Sequence, residues 1–177
     1  AHYISVTGGG GDINYLSPEQ NVIADGLIVD GVDEIRKAIR QEIKYGSDWI
    51  KIMVTGAFMS VGDHPKNVSF SPEELKAAVK EAKRQNVPVA AHAHATEGIN
   101  QAIISGGRSI EHGSFINQKS IELMVKHGTF LVPTIYVGDY YALSGKLREQ
   151  TKNDDFYLSF RDSWLQLIGK AHRSGVK

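Results

Sequence analysis

The sequence predicts an α/β protein whose parallel sheet forms an incomplete TIM-type (β/α)8 barrel, covering about strands 3–7 with their helices. Strand-like and helix-like segments alternate about five times along the 177 residues. The strand-like segments are almost continuously apolar, which indicates strands that helices cover on both faces. These units recur at intervals of about 20 to 40 residues, a spacing typical of a (β/α)8 barrel, but a closed barrel needs about 250 residues.

The strand-like segments are short apolar runs bounded by glycine, proline or polar residues. The first run leads into four glycines at residues 8–11, which suit a tight loop after a strand. No Lys-Ser or Lys-Thr pair follows these glycines, so a phosphate-binding loop is not predicted. The polar stretch that continues to residue 27 is expected to be a loop or lid. The predicted strands cover residues 2–7, 48–55, 87–93, 109–112 and 129–135.

The helix-like segments carry an apolar stripe and recognisable start and stop signals. Asp30 can cap the first helix, and residues 71–74 (SPEE) have the capping-box spacing with proline at the first helical position. Gly128 follows the fourth helix, as expected of a residue that ends a helix. The predicted helices cover residues 32–45, about 71–82, 97–105, 117–127 and 154–172.

The composition narrows the classes of partner. The 20 basic and 20 acidic residues balance, so no basic face for nucleic acid is predicted. The chain has no cysteine, which excludes disulfides and thiolate zinc sites and favours a reducing compartment such as the cytoplasm. No apolar run approaches the roughly 18 residues of a membrane span, and no signal segment opens the chain. Because the chain starts at Ala1 with a strand-like run, we expect it to be part of a longer protein.

Histidines stand at the carboxyl ends of two neighbouring strand segments, with His92 and His94 in the third segment and His112 in the fourth. In parallel α/β barrels the reactive groups lie at these ends. His92 and His94 are two residues apart on a strand, so both side chains face the same way. A single histidine is more often structural, whereas three at adjacent strand ends indicate a metal or acid–base site. Ser60 and Ser114 lie in no nucleophile motif, so a serine triad is not predicted.

Lys51 lies in the middle of the second strand segment and has two interpretations. In the first, its apolar stem packs while its ammonium group reaches solvent. In the second, burial lowers the pKa of the amine, and the neutral amine takes up carbon dioxide to form a carbamate. Such a carbamate is an anionic oxygen ligand that is able to bridge two metal ions. The residues alone leave both interpretations open.

Four segments, in this order and spacing, resemble the amidohydrolase superfamily. They are residues 48–56 (DWIKIMVTG), 89–98 (VAAHAHATEG), 109–113 (SIEHG) and 131–136 (LVPTIY). The most similar branch contains the prolidase-like and imidazolonepropionase-like metallo-hydrolases, including Xaa-Arg and Xaa-Lys dipeptidases and carboxypeptidases. The similarity extends from Tyr3 to the last residue.

The resemblance implies a barrel that holds one or two divalent metal ions, usually zinc. It implies that Lys51 is the carboxylated lysine that bridges the metals, and that His92 and His112 are metal ligands. His94 would then either support a metal ligand from behind or face the substrate, and Tyr136 would contact the substrate. The implied reaction is hydrolysis of an amide or peptide C–N bond, as in a dipeptidase, by a metal-activated hydroxide. The implied partner is a small peptide or amide.

The chain also departs from the family pattern. It has no His-x-His pair before Lys51, where the family's first strand supplies one, and it reaches no eighth strand with the catalytic aspartate; Gly10 stands where relatives often have histidine. We therefore expect residues 1–177 to be a partial barrel domain without the first two strands and the eighth, and the general base to lie outside the chain. Two alternatives are a non-catalytic, self-associating barrel fragment and a simple metal-binding module. The open edges of an incomplete sheet favour a homo-oligomer.

Overall fold

The computed structural model describes residues 2–14, 16–17, 26–144 and 154–177. Within these ranges the strands form one sheet, in which every neighbouring pair is parallel. The order across the sheet is β2-β1-β3-β4-β5-β6. The strands are β1 (Tyr3–Ser5), β2 (Leu27–Ile28), β3 (Ile50–Met53), β4 (Val89–Ala93), β5 (Ser109–His112) and β6 (Phe130–Val132). The predicted parallel α/β fold is therefore confirmed.

Helices follow the strands along the chain and close the successive βα units. The helices of the described ranges are α1 (Val32–Lys44), α2 (Pro72–Arg84), α3 (Thr96–Ser105), α4 (Gln118–His127), α5 (Ile135–Ser144) and α6 (Asp154–Arg173). After α6 the chain returns to the sheet, where the N–H of Leu131 donates to the carbonyl of Lys177 at 2.8 Å. Among these described helices, none is both long and apolar enough to cross a membrane.

Two of the predicted capping signals are present and one is wrong. Ser71 caps α2 through a capping box with Glu74, and Gly128 ends α4 with a positive φ of 67°. Asp30, however, does not cap α1, which begins after Gly31 without a side-chain cap. The Asp30 carboxylate instead accepts hydrogen bonds from the backbone N–H and the hydroxyl of Thr7, so it ties the loop after β1 to the start of α1.

The two faces of the sheet have different chemistry because side chains alternate along each strand. Ile52, Ala91 and Ile110 lie side by side in register and are buried in the core against the helices. The opposite face remains partly exposed and carries Lys51 and His92. The polar residues of this second face come together where the strands end, at their carboxyl ends.

Three elements differ from the sequence prediction, namely β2, the end of β6 and helix α5, which was not predicted. Leu27, the last residue of the stretch predicted as loop or lid, forms with Ile28 a strand that pairs with β1. Residues 15 and 18–25 of that stretch lie outside the described residues. A strand of two residues is too short to show a periodic pattern in the sequence. It exists because it pairs with β1, which is distant in the chain. The last predicted strand ends at Val132 rather than at residue 135, since Pro133 lacks an N–H and Thr134 has a positive φ of 52°. Helix α5 begins immediately after this break.

Glu42 of α1 attaches the start of the chain to the helix layer. Its carboxylate is 2% exposed and accepts hydrogen bonds from the backbone N–H of His2, from Nδ1 of His2 and from Oγ of Ser47, at 2.8, 2.9 and 3.0 Å. Burial alone would raise the pKa of this carboxyl, but the hydrogen bonds from His2 and Ser47 outweigh it and lower the pKa below the ordinary 4.5.

The lowered pKa of Glu42 predicts an acid-sensitive contribution to stability. The contribution is complete above pH 4.5 and is lost as the pH falls through the lowered folded-state value. Urea unfolding of the protein and of Glu42→Gln, measured from about pH 6 to pH 3, should show a difference in unfolding free energy that shrinks toward acid. Glu122→Gln, at an exposed position of α4, is the control and should show little difference. A difference between protein and Glu42→Gln that does not change with pH contradicts the prediction.

Candidate metal centre

Three imidazoles converge at the carboxyl ends of β4 and β5. One ligand atom from each of His92, His94 and His112 can be chosen such that all three atoms lie within 4.8 Å of one another. The ring centroids are 4.6 Å apart for His92 and His94, 4.6 Å for His92 and His112, and 4.9 Å for His94 and His112. His92 and His94 are buried, and His112 is half-buried. Among the described residues, these three histidines form a cluster of side chains that could hold a metal ion.

A local turn directs His112 toward the other two histidines. Regular alternation would place His112 on the face of Ile110, toward the helices. His112 instead has a positive φ of 70°, and the N–H of Gly113 donates to the carbonyl of Glu111 at 3.0 Å, which closes a three-residue turn around it. A positive φ is unfavourable for a residue with a side chain, and such backbone is found preferentially at functional sites.

Neighbouring oxygens fix which nitrogen of two rings carries the proton. His92 places Nε2 at 3.3 Å from the carbonyl of Gly56; a carbonyl only accepts, so Nε2 donates and Nδ1 keeps its lone pair. Thr134 donates its hydroxyl to the carbonyl of Pro133, so its oxygen accepts from Nδ1 of His112 at 2.6 Å. Nε2 of His112 is therefore the free lone pair. Each ring thus has one nitrogen held by the protein and one available as a ligand, as is usual for metal-binding histidines.

The three histidines are neutral near pH 7. Burial, together with the nearby His112 and Lys51, lowers the pKa of His92 to about 3. Burial and Lys51 lower the pKa of His112 to about 4. The pKa of His94 is lowered well below its usual range, by burial first and then by the other two histidines and Lys51. Because neutral imidazole is the form that binds a metal, these donors fit a divalent ion without a prior loss of protons.

Lys51 lies on the same sheet face as His92, two register positions nearer the start of the strands. Burial lowers the pKa of its amine, although the carboxylate of Glu111 opposes the effect. Lys51 lowers the pKa of all three histidines, so its amine lies within electrostatic range of the cluster. It lines a separate hollow of the exposed face rather than the histidine cavity. Its carboxylation and its role as a ligand stay predictions.

The histidines form one wall of a cavity of about 230 Å³. Ser114 also lines the cavity, and its Oγ lies 2.8 Å from Nδ1 of His94. Ser114 was not predicted as a site residue, because it belongs to no motif and reaches His94 only through the turn that follows β5. The remaining wall is formed by residues that are distant in sequence, namely Ala57, Phe58, Met59, Pro133, Thr134, Val137, Tyr157 and Trp164.

Tyr136 lies outside the set of residues that line this cavity. It is in the first turn of α5, where its side chain is 76% exposed and stacks on Tyr140 at 6.0 Å between ring centroids. The predicted substrate contact of Tyr136 stays a prediction. Thr134 and Val137, its neighbours along the chain, face the cavity instead.

Parallel βα units with histidines at the carboxyl ends of adjacent strands define an α/β-barrel type of protein with a candidate metal centre. Residues 7–155 match the amidohydrolase family, so the chain belongs to the amidohydrolase family. The resemblance found in the sequence is therefore confirmed. The family is one of hydrolases that typically bind divalent metal ions.

The chain is 44% identical over 152 residues to the ochratoxinase of Aspergillus niger. The aligned region covers 84% of this chain and 31% of that protein. A Xaa-Pro dipeptidase structure with methionine bound in its active site is 36% identical, with a TM-score of 0.88 over 99% of this chain and 44% of that one. A prolidase structure in complex with N-methylphosphonate-L-proline is 32% identical, with a TM-score of 0.86 over 99% of this chain and 45% of that one. The chain thus spans about a third of the length of its curated relatives.

Proposed function

We propose that this chain provides part of the active site of a metal-dependent hydrolase that cleaves amide or peptide C–N bonds. The observation that carries the proposal is the cluster of three neutral histidines within 4.8 Å at the strand ends. Membership of the amidohydrolase family supports it. The names of relatives, an ochratoxinase, a Xaa-Pro dipeptidase and a prolidase, support a small amide or peptide as the substrate.

In this proposal Lys51, as a carbamate, and His92 and His112 hold one or two divalent ions, with zinc as the expected metal. A bound ion would polarise the scissile carbonyl and lower the pKa of water at the site. Gly56 and Thr134 hold the rings of His92 and His112 in the orientation that presents a lone pair. His94 faces the substrate from beside the two ligands, across the cavity from its apolar wall.

We also propose that residues 1–177 form part of a barrel domain. The share of the relatives that the chain covers, from 31% to 45%, supports this proposal. The exposed second face of the sheet supports it as well, since Trp49 and Val132 on or beside that face are 47% and 42% exposed. Association with a second copy is the corresponding expectation for this chain in solution, and its mass in solution tests that expectation.

The test combines metal content with hydrolysis. The purified, dialysed chain is expected to hold zinc at near-stoichiometric level. Because its general base is expected to lie outside the chain, hydrolysis of N-acyl amino acids or dipeptides is expected to be partial, lost on chelation and restored by zinc. Lys51→Met should lose at least one metal and the activity, because methionine forms no carbamate, whereas Lys76→Met at an exposed position of α2 should change neither. Zinc without hydrolysis favours the metal-binding module, and neither zinc nor hydrolysis contradicts the proposal for this chain.

A further inference from the structure

The cavity wall that faces the histidines is apolar and aromatic. Phe58, Met59, Val137, Tyr157 and Trp164 contribute to it. Among the described residues that line the cavity, none is aspartate, glutamate, lysine or arginine. A charged substrate side chain in this space would lose its hydration without gaining a counterion, which strongly disfavours it. An apolar side chain would meet matching surface.

The aromatic rings of this wall are held in defined orientations. Phe58 meets His94 edge to face at 4.8 Å and Tyr157 edge to face at 6.2 Å between centroids. Tyr157 also meets Trp164 at 6.2 Å. Trp164 donates its indole N–H to the carbonyl of Gly113 at 3.1 Å, beside the turn that directs His112. The spacing between the wall and the histidines is thereby linked to the position of α6.

A three-residue network fixes Tyr157 and joins α6 to α5. The guanidinium of Arg161 binds both carboxylate oxygens of Asp139, with Nε to Oδ1 at 2.5 Å and a terminal nitrogen to Oδ2 at 2.6 Å. Tyr157 donates its hydroxyl to Oδ1 of Asp139 at 3.0 Å. Tyr157 and Arg161 are four residues apart, so they lie on the same side of α6. Paired charged groups of this bidentate kind give geometric specificity as well as attraction.

The pKa and the hydrogen bond of Tyr157 suit a fixed part of the cavity wall rather than a group that donates a proton to the substrate. Burial, followed by the hydrogen bond to Asp139 and its negative charge, raises the pKa of Tyr157 to about 12. The phenol therefore stays protonated and keeps donating to Asp139. Arg161 in turn lowers the pKa of Asp139, so the acceptor stays ionised. The network holds its form throughout the neutral range.

We infer that the cavity selects an apolar, preferably aromatic, side chain of the substrate, and that Asp139 is a positioning residue that sets the selecting wall through Arg161 and Tyr157. The inference rests on the proposed function for the identity of the site. It adds that a cationic side chain, such as that of arginine or lysine, is rejected from this cavity. Asp139 acts through Tyr157 rather than by touching the substrate.

Binding tests the inference without requiring catalysis. The probes are N-acetyl-L-phenylalanine and N-acetyl-L-lysine, which share their amide and carboxylate and differ only in the side chain. Trp164 lines the cavity and reports binding by fluorescence, in a Trp49→Phe background that removes the other tryptophan. With metal removed by chelator, the phenylalanine probe should bind at least about tenfold more tightly than the lysine probe.

Three variants separate positioning from folding. Asp139→Asn, which breaks the ion pair, should lose most of the tenfold preference while keeping its thermal midpoint near that of the parent. Asp139→Glu, which keeps the carboxylate, should retain most of the preference. Asp162→Asn is the matched control, because Asp162 also contacts Arg161, at 3.0 Å, but is 89% exposed and does not line the cavity. Where hydrolysis is measurable, Asp139→Asn should raise KM for the apolar substrate more than it lowers kcat.

The outcomes are distinct from those of the proposed function. Equal or tighter binding of the lysine probe overturns the apolar selection. If Asp139→Asn weakens both probes equally and lowers the thermal midpoint, Asp139 is structural only and the positioning role is overturned. If the phenylalanine preference and its loss in Asp139→Asn are observed but the zinc-loaded chain hydrolyses no amide, the inference holds while the proposed function fails.

Discussion

Replacing His92 or His112 with asparagine is expected to remove stoichiometric zinc from the chain. Each ring presents one lone pair to the centre while its other nitrogen is held by Gly56 or Thr134. Asparagine retains polarity and similar bulk but removes the imidazole ligand. Changes to groups that merely orient a ligand cost about 10- to 100-fold in affinity, so losing the ligand itself should cost more. Zinc per chain after dialysis, and the dissociation constant from competition with a chelator, measure the effect.

His94→Asn distinguishes between two arrangements of the centre. In the proposed function His94 faces the substrate, so this variant should keep its zinc and lose most hydrolysis. His94, however, lies 4.6 and 4.9 Å from the rings of His92 and His112, which are themselves 4.6 Å apart. If His94→Asn loses zinc as fully as His92→Asn, all three histidines are ligands and the substrate role is wrong. His127→Asn, at an exposed position of α4, should leave zinc content unchanged.

Gly56→Ala is expected to destabilise the protein and to weaken the metal centre together. A Cβ at Gly56 would overlap the carbonyl oxygen of His64 and lie 2.5 Å from Oδ2 of Asp63. The N–H of Gly56 donates to Asn67, so this loop cannot move away without losing that hydrogen bond. We expect the unfolding free energy to fall by about 1–3 kcal/mol, as for other overpacked sites. Zinc affinity should fall as well, since the displaced carbonyl orients His92.

Gly169→Ala provides the control for this prediction. Gly169 lies within α6, where the nearest atom to an added Cβ is the flexible end of Arg173 at 3.3 Å. Alanine is favoured over glycine inside a helix by about 0.5–1 kcal/mol, so this variant should be neutral or stabilising. Chemical denaturation of both variants, with zinc content measured on the same samples, compares them. A Gly56→Ala variant as stable as the parent would show that the loop after β3 adapts without cost.

The sequence alone determined the features that depend on local periodicity and local capping. The continuous apolar runs around Lys51 and His92 predicted buried parallel strands, and residues 71–74 predicted the start of α2. The two-residue spacing of His92 and His94 placed both on one face, as the structure has them. Each of these features depends on residues that are close in sequence, within one or two helical turns or strand positions, so a local sequence pattern predicts it.

The tertiary structure alone decided which distant residues complete the site. The two-residue strand β2 exists through pairing with β1, and His112 reaches the other histidines through a backbone conformation that contradicts simple alternation. Trp164, which packs against the turn after β5, is 51 residues away from Gly113 in the chain. Contacts of this kind depend on how helices and loops pack around the sheet, and no local pattern records that packing. The sequence therefore predicted the strand-end histidines, whereas packing decided their convergence and the aromatic wall opposite them.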